Sequence, residues 1–231
     1  MKKLVSVIIL SCLIFVLSSC SKPEPNVEFN DIETTGVFSY ISGTMENTKS
    51  ISAIAEDGTK IKADVSGDLF SIPVRTTENE QKIKIKINGN ENQIIKEITI
   101  PGVPILDDYR EFSGSFNMLI KNWDKNHKTV FPIMPSGGGA MTVSKEGGVE
   151  ATVNLSRYDL LGVQFRSKAE EKTDLGAYIV TSAYALNAYD EKINSTYINM
   201  LKSKENTKIT INGITFDFDY NNDMAYVQIY R

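Results

Sequence analysis

Cysteine, histidine and tryptophan are scarce: 231 residues contain two, one and one. Cys12 lies inside an apolar N-terminal run and Cys20 at its end. Two such thiols build no disulfide framework, so folding must rest on packed cores. Redox chemistry is not expected after Cys20. With His127 as the lone histidine, a zinc centre would need three or four carboxylates, which zinc disfavours. The chain also lacks a G-x-S-x-G elbow, a P-loop and the spaced glycines of a dinucleotide site. No cofactor is expected. Excess positive charge is missing too, the formal net charge being −4. Removal of a leader carrying Lys2 and Lys3 would make it two units more negative. Such a balance gives no general reason to bind nucleic acid or an anionic lipid surface.

The first nineteen residues, MKKLVSVIILSCLIFVLSS, have a defined order. Lys2 and Lys3 come first, an apolar run from Leu4 to Leu17 follows, and Ser18 and Ser19 end it. This is the layout of a secretory signal, and it is shorter than the roughly 20 apolar residues of a comfortable membrane span. Ser21-Lys22-Pro23-Glu24-Pro25-Asn26 then has no apolar period and reads as a Pro-stiffened tether.

Leu17-Ser18-Ser19-Cys20 resembles the lipobox of bacterial lipoproteins. The resemblance covers only the leader. It implies a signal peptide over 1–19, lipid attachment at Cys20 and a lipidated tether over 20–29. It also implies an outward-facing location at the cell membrane. Two acyl chains suit stable anchoring, because each buried CH₂ adds about 0.8 kcal/mol and one chain holds only marginally.

Residues 30–103 read as short strands divided by turns. Lys82-Ile83-Lys84-Ile85-Lys86-Ile87 alternates strictly, with one face for a core and one for water. Its lysines fit a basic binding patch or a solvated, edge-protecting face. Asp57-Gly58 and Asn88-Gly89 are hairpin-type pairs, and Pro73 suggests an edge or a bulge. Strands at this spacing predict a small β-sandwich. The stretch from Ile41-Ser42-Gly43-Thr44 through Gly67-Asp68-Leu69-Phe70 to Val74 resembles bacterial immunoglobulin-like modules, which implies a spacer or adhesive role.

After the breaker-rich hinge Pro101-Gly102-Val103-Pro104, the pattern changes. Phe112, Phe116, Leu119, Ile120 and Trp123 share one helical face. Trp123 either closes that face or offers a stacking ring. Phe131 to Ala140, with Gly137, Gly138 and Gly139, reads as a flexible loop, or as an anion cradle. Val149–Leu155 and Leu160–Phe165 read as strands. Asp174–Ala188 reads as a helix, and Asp190 caps another with the stripe Ile193, Tyr197, Met200 and Leu201. Tyr178, Tyr184 and Tyr189 suit a recognition surface or core packing. Three strands ending at Tyr230 close the chain. Residues 107–231 thus predict an α+β domain with helices on a mostly antiparallel sheet. The whole is a mixed fold, an immunoglobulin-like sandwich followed by that domain.

Asp217, Asp219, Asn221 and Asp223 have the alternate spacing of half a calcium loop. Asn222 replaces the required glycine and Gln228 the bidentate glutamate, so a solvated hairpin face is the competing reading. The expected function is non-catalytic binding or scaffolding at the cell envelope. The partners are the membrane, through the lipid, and an envelope protein or surface ligand. The candidate ligand face comprises Trp123, His127, Gly137, Gly138, Gly139, Tyr178 and Tyr184. The alternative is an envelope hydrolase acting on wall or secreted material, with its site near His127 and the glycine loop.

Overall fold

The computed structural model describes residues 23–123, 125, 128–133, 138–169 and 172–231. They form mostly antiparallel β-sheet with three short helices. The first nine elements are all strands: β1 (Asn26–Phe29), β2 (Glu33–Thr34), β3 (Phe38–Glu46), β4 (Ser50–Ile54), β5 (Lys60–Lys62), β6 (Asp64–Ser66), β7 (Leu69–Arg75), β8 (Gln81–Asn88) and β9 (Gln93–Ile100). The chain divides into two compact units. One takes the described residues up to Asn30 with Ser42–Ile72 and Ile83–Ile98, and the other takes Asp31–Ile41, Pro73–Lys82 and Thr99–Arg231.

In the first unit the strict alternation of β8 does what period two demands. Ile83, Ile85 and Ile87 are buried while Lys82 and Lys84 face water. β4 pairs antiparallel with β8, matching Ile51 to Ile87 and Ala53 to Ile85, so apolar side chains meet across the ladder. Val27, Met45, Phe70 and Ile72 are buried in this unit too, with Phe29 edge-on to Phe70 at 5.7 Å. Asp57-Gly58 turns the chain between β4 and β5, with Gly58 at φ 84 and the Asp57 carboxylate accepting from Thr59 N–H at 2.8 Å.

The second unit is built on one large sheet. Its strands are β10 (Asp107–Asp108), β11 (Gly139–Glu146), β12 (Val149–Ser156), β13 (Asp159–Lys168), β14 (Thr207–Ile211), β15 (Ile214–Asn221) and β16 (Met224–Tyr230). The order is β11-β12-β13-β16-β15-β14, with β10 paired to β13. The helices are α1 (Tyr109–Trp123), α2 (Lys172–Ala185) and α3 (Glu191–Ser203). Val153, Val163, Phe165, Phe216, Phe218, Val227 and Ile229 share a continuous buried cluster with residues of all three helices. An aromatic knot lies within it. Phe116 meets Phe131 edge-on at 4.7 Å and Tyr178 at 5.6 Å, and Phe165 meets Tyr178 at 5.5 Å. Phe131 is held there by Asn117, whose side chain donates to Phe131 O and accepts from the N–H groups of Val130 and Phe131.

Several element boundaries differ from the sequence reading, two of them for a visible reason. The glycine segment was expected to be loop through Ala140, yet β11 starts at Gly139, which pairs with Leu155. Helix α2 stops at Ala185 rather than Ala188, because Asn187 takes a left-handed turn at φ 54. Asp190 caps α3 as expected, accepting from Lys192 N–H at 2.8 Å.

Candidate functional site

A groove of ≈ 550 Å³ opens on the helical side of the second unit. Gly176, Ala177 and Val180 of α2 form one wall, and Tyr197, Ile198 and Leu201 of α3 another. Trp123, the last residue of α1, and Tyr189, between α2 and α3, complete the apolar lining. Asn194 and Lys202 supply the polar groups. Helical spacing creates this groove. Ile193, Tyr197 and Met200 point into the core, while Asn194, Ile198 and Leu201 form a second stripe beside them. The void exists because α2 presents small residues. A methyl group added at Gly176 would sit 3.5 Å from the Tyr197 ring, an ordinary contact.

Trp123 is 63% exposed, so its ring is offered to the groove rather than used to close the core. Ile198 is 39% exposed on the facing helix. Tyr184 and Tyr189 stack at 4.1 Å with an interplanar angle of 11°. A hydrogen bond with Tyr184 holds the Tyr189 phenol above its ordinary range. Burial pushes the Tyr197 phenol up to about 12, so this groove wall stays neutral at physiological pH.

The expected ligand face is therefore divided. Trp123 lines the groove, and Tyr184 is exposed beside it through its stack on Tyr189. Tyr178 is fully buried in the aromatic knot and offers no surface. Gly138 is exposed, but Gly139, at φ 102, lies against Arg75, whose guanidinium a side chain there would strike at 2.6 Å. Gly139 serves packing. His127, Gly137 and Cys20 lie outside the described residues.

The opposite face of the sheet is polar. Asp217 and Asp219 were expected on a solvated hairpin, but Asp217 is only 6% exposed and Asp219 is half-buried. Tyr230 donates to Asp217 Oδ2 at 3.0 Å, and Lys208 approaches the same oxygen at 3.8 Å. Burial, then the Asp217 carboxylate, raises the Asp219 pKa, while a hydrogen bond from Gln228 opposes the rise. Asn221 and Asp223 do not join these acids in a loop. Asn222 and Asp223 form the left-handed turn at φ 50 and 60, and Asp223 accepts from the Tyr220 hydroxyl at 2.8 Å. Among the described residues, no three His, Cys, Asp or Glu side chains gather as metal ligands.

Sequence reasoning missed one hub on this face. Asn154 is fully buried. Its Nδ2 donates to Gly36 O at 3.0 Å, Thr76 O at 3.0 Å and Thr76 Oγ1 at 2.8 Å, and its Oδ1 accepts from Arg75 Nε at 3.2 Å. A lone amide inside the apolar strand Val149–Leu155 was the available signal. Comparison of the chain with protein-family models and with curated protein sequences gives no match.

Proposed function

We propose that this chain is a lipoprotein of the cell envelope, anchored through Cys20, whose helical groove binds an apolar ligand without chemistry. The leader order, with charge, apolar run, small residues and cysteine in sequence, supports the anchor. We read the strand-only N-terminal part as an immunoglobulin-like spacer. The groove carries the binding role. At ≈ 550 Å³ it falls in the range of small-molecule sites, and it combines aromatic and aliphatic walls with few polar groups. Lys202 at its edge favours a ligand with an anionic or polar end.

The anchor is tested by Cys20→Ala, which is expected to release the protein from membranes or leave it as an unprocessed precursor. Unchanged processing and membrane retention would reject that half of the proposal. The groove is tested with 1-anilinonaphthalene-8-sulfonate, an aromatic probe with an anionic end. Trp123 is the sole tryptophan, so energy transfer from it reports the groove directly. Gly176→Phe is expected to fill the groove and weaken probe binding at least tenfold, with circular dichroism and melting preserved. Equal transfer in the filled variant would place the probe elsewhere and sink the groove reading.

A further inference from the structure

We propose that Asp217, Asp219 and the side-chain carbonyl of Gln228 form a site for a hard divalent cation of the calcium class. The site lies on the face of the large sheet away from the helices, apart from the groove.

The register brings these groups together. Asp217 stands directly opposite Gln228, and Asp219 opposite Tyr226, on neighbouring antiparallel strands. Directly opposed side chains on one face have Cβ atoms about 5 Å apart, and alternate residues of one strand share that face. Two carboxylates and an amide are thus presented on one patch of a rigid sheet. Such a frame holds ligands more firmly than the hairpin turn of Asn221 and Asp223 does.

Gln228 supplies the observation that points to a ligand. It is 6% exposed, and its amide reaches Asp219, to which it donates. Among the described residues, its Oε1 is buried and meets no donor. A buried acceptor without a donor costs about 1–3 kcal/mol. A cation shared with the two carboxylates would satisfy this oxygen and neutralise their charge together. Tyr230 and Lys208 both engage Oδ2 of Asp217, which leaves Oδ1 unused by either.

The surroundings are charged in the required sense. Besides burial, the carboxylates of Asp217, Asp219 and Glu33 oppose ionisation of Tyr230, and Asp219 and Glu33 oppose that of Tyr40. Lys208 is the nearest competing cation, and its side chain is 62% exposed on a 3.8 Å contact. An ammonium on a flexible stem at that distance is a weak occupant. Carboxylate and carbonyl oxygens select hard cations. With only two carboxylates the affinity belongs to the weak class, about 0.1–1 mM for calcium.

The test uses terbium, a luminescent stand-in for calcium that nearby tyrosines sensitise, added to the full chain. Tyr226 and Tyr230 lie on the same face as the proposed ligands. Saturable emission that millimolar calcium displaces is expected. Asp217→Asn and Asp219→Asn, each nearly isosteric, should weaken it at least tenfold with circular dichroism unchanged. The double variant Asn221→Ala/Asp223→Ala should leave it intact. Emission that does not saturate, that survives both Asp variants, or that is lost with the turn residues overturns the proposal.

Discussion

Replacing Asn154 with alanine is expected to destabilise the second unit by about 3 kcal/mol, lowering its melting temperature by about 6–12 °C. The side chain is fully buried and carries four contacts. Its Nδ2 divides two hydrogens among three acceptors, so each acceptor depends on the same group. Removing it takes the amide donor from Thr76 O and leaves Gly36 O with the Thr76 hydroxyl as its side-chain donor. Arg75 keeps only its bond from Nη2 to Leu155 O at 3.3 Å. Thr76 retains one alternative, since its hydroxyl donates to Gly36 O at 2.8 Å. Asn154→Asp is expected to be no milder, because it turns a donor into an acceptor facing three oxygens. Urea unfolding of both variants checks this. A loss below about 1 kcal/mol for alanine would mean that water replaces the amide.

Gly162→Ala is expected to cost about as much, by a different mechanism. A Cβ at Gly162 would lie 2.6 Å from Gly36 Cα and 2.9 Å from Gly36 O. The converse substitution, Gly36→Ala, would bring a Cβ to 2.5 Å from Leu161 O and 2.7 Å from Gly162 Cα. Both obstacles are mostly backbone, so no side-chain rotation relieves them, and the two segments must part. Overpacking typically costs about 1–3 kcal/mol, and a backbone obstacle sits at the upper end. The signature is non-additivity. Once one methyl has separated the segments, the second finds room, so Gly36→Ala/Gly162→Ala should lose clearly less than the sum of the single variants. Additive losses, measured by calorimetry, would mean the two glycines do not share one contact.

These two sites also mark where the sequence stopped being informative. Strict Ile/Lys alternation made β8 legible, and the 3.6-residue period made the buried faces of α1 and α3 legible. The groove stripe of α3 was harder. Leu201 was assigned to the core and does pack against it, but it is only half-buried and also lines the groove beside the exposed Ile198. Alternation sent Phe218 and Tyr220 inward and Asp217 and Asp219 to the other side, and Phe218 and Tyr220 do join the core. It gave no sign that this side is covered as well. What covers it is remote in sequence, with Gly36 against Gly162 and Tyr230, and Tyr40 close enough to Asp219 for the carboxylate to oppose phenol ionisation. Periodicity describes one element's own two faces, and it carries no information about which distant segment lies across them. Asn154 and Gly162 each broke a local rule, a polar group and a missing side chain within apolar strands. Such breaks are where tertiary contacts are to be sought.

The hydrogen bond from Asn154 to Gly36 joins residues 118 positions apart. During synthesis, residues 31–41 therefore emerge long before the strands that receive them. Until β12, β13 and β16 have been made, Gly36 lacks the Asn154, Gly162 and Tyr230 that it meets in the finished unit. Long loop closure of this kind slows folding and prolongs exposure of apolar strand edges. For the same reason, a cut after Ile100 would part residues 31–41 and 73–82 from the rest of the second unit.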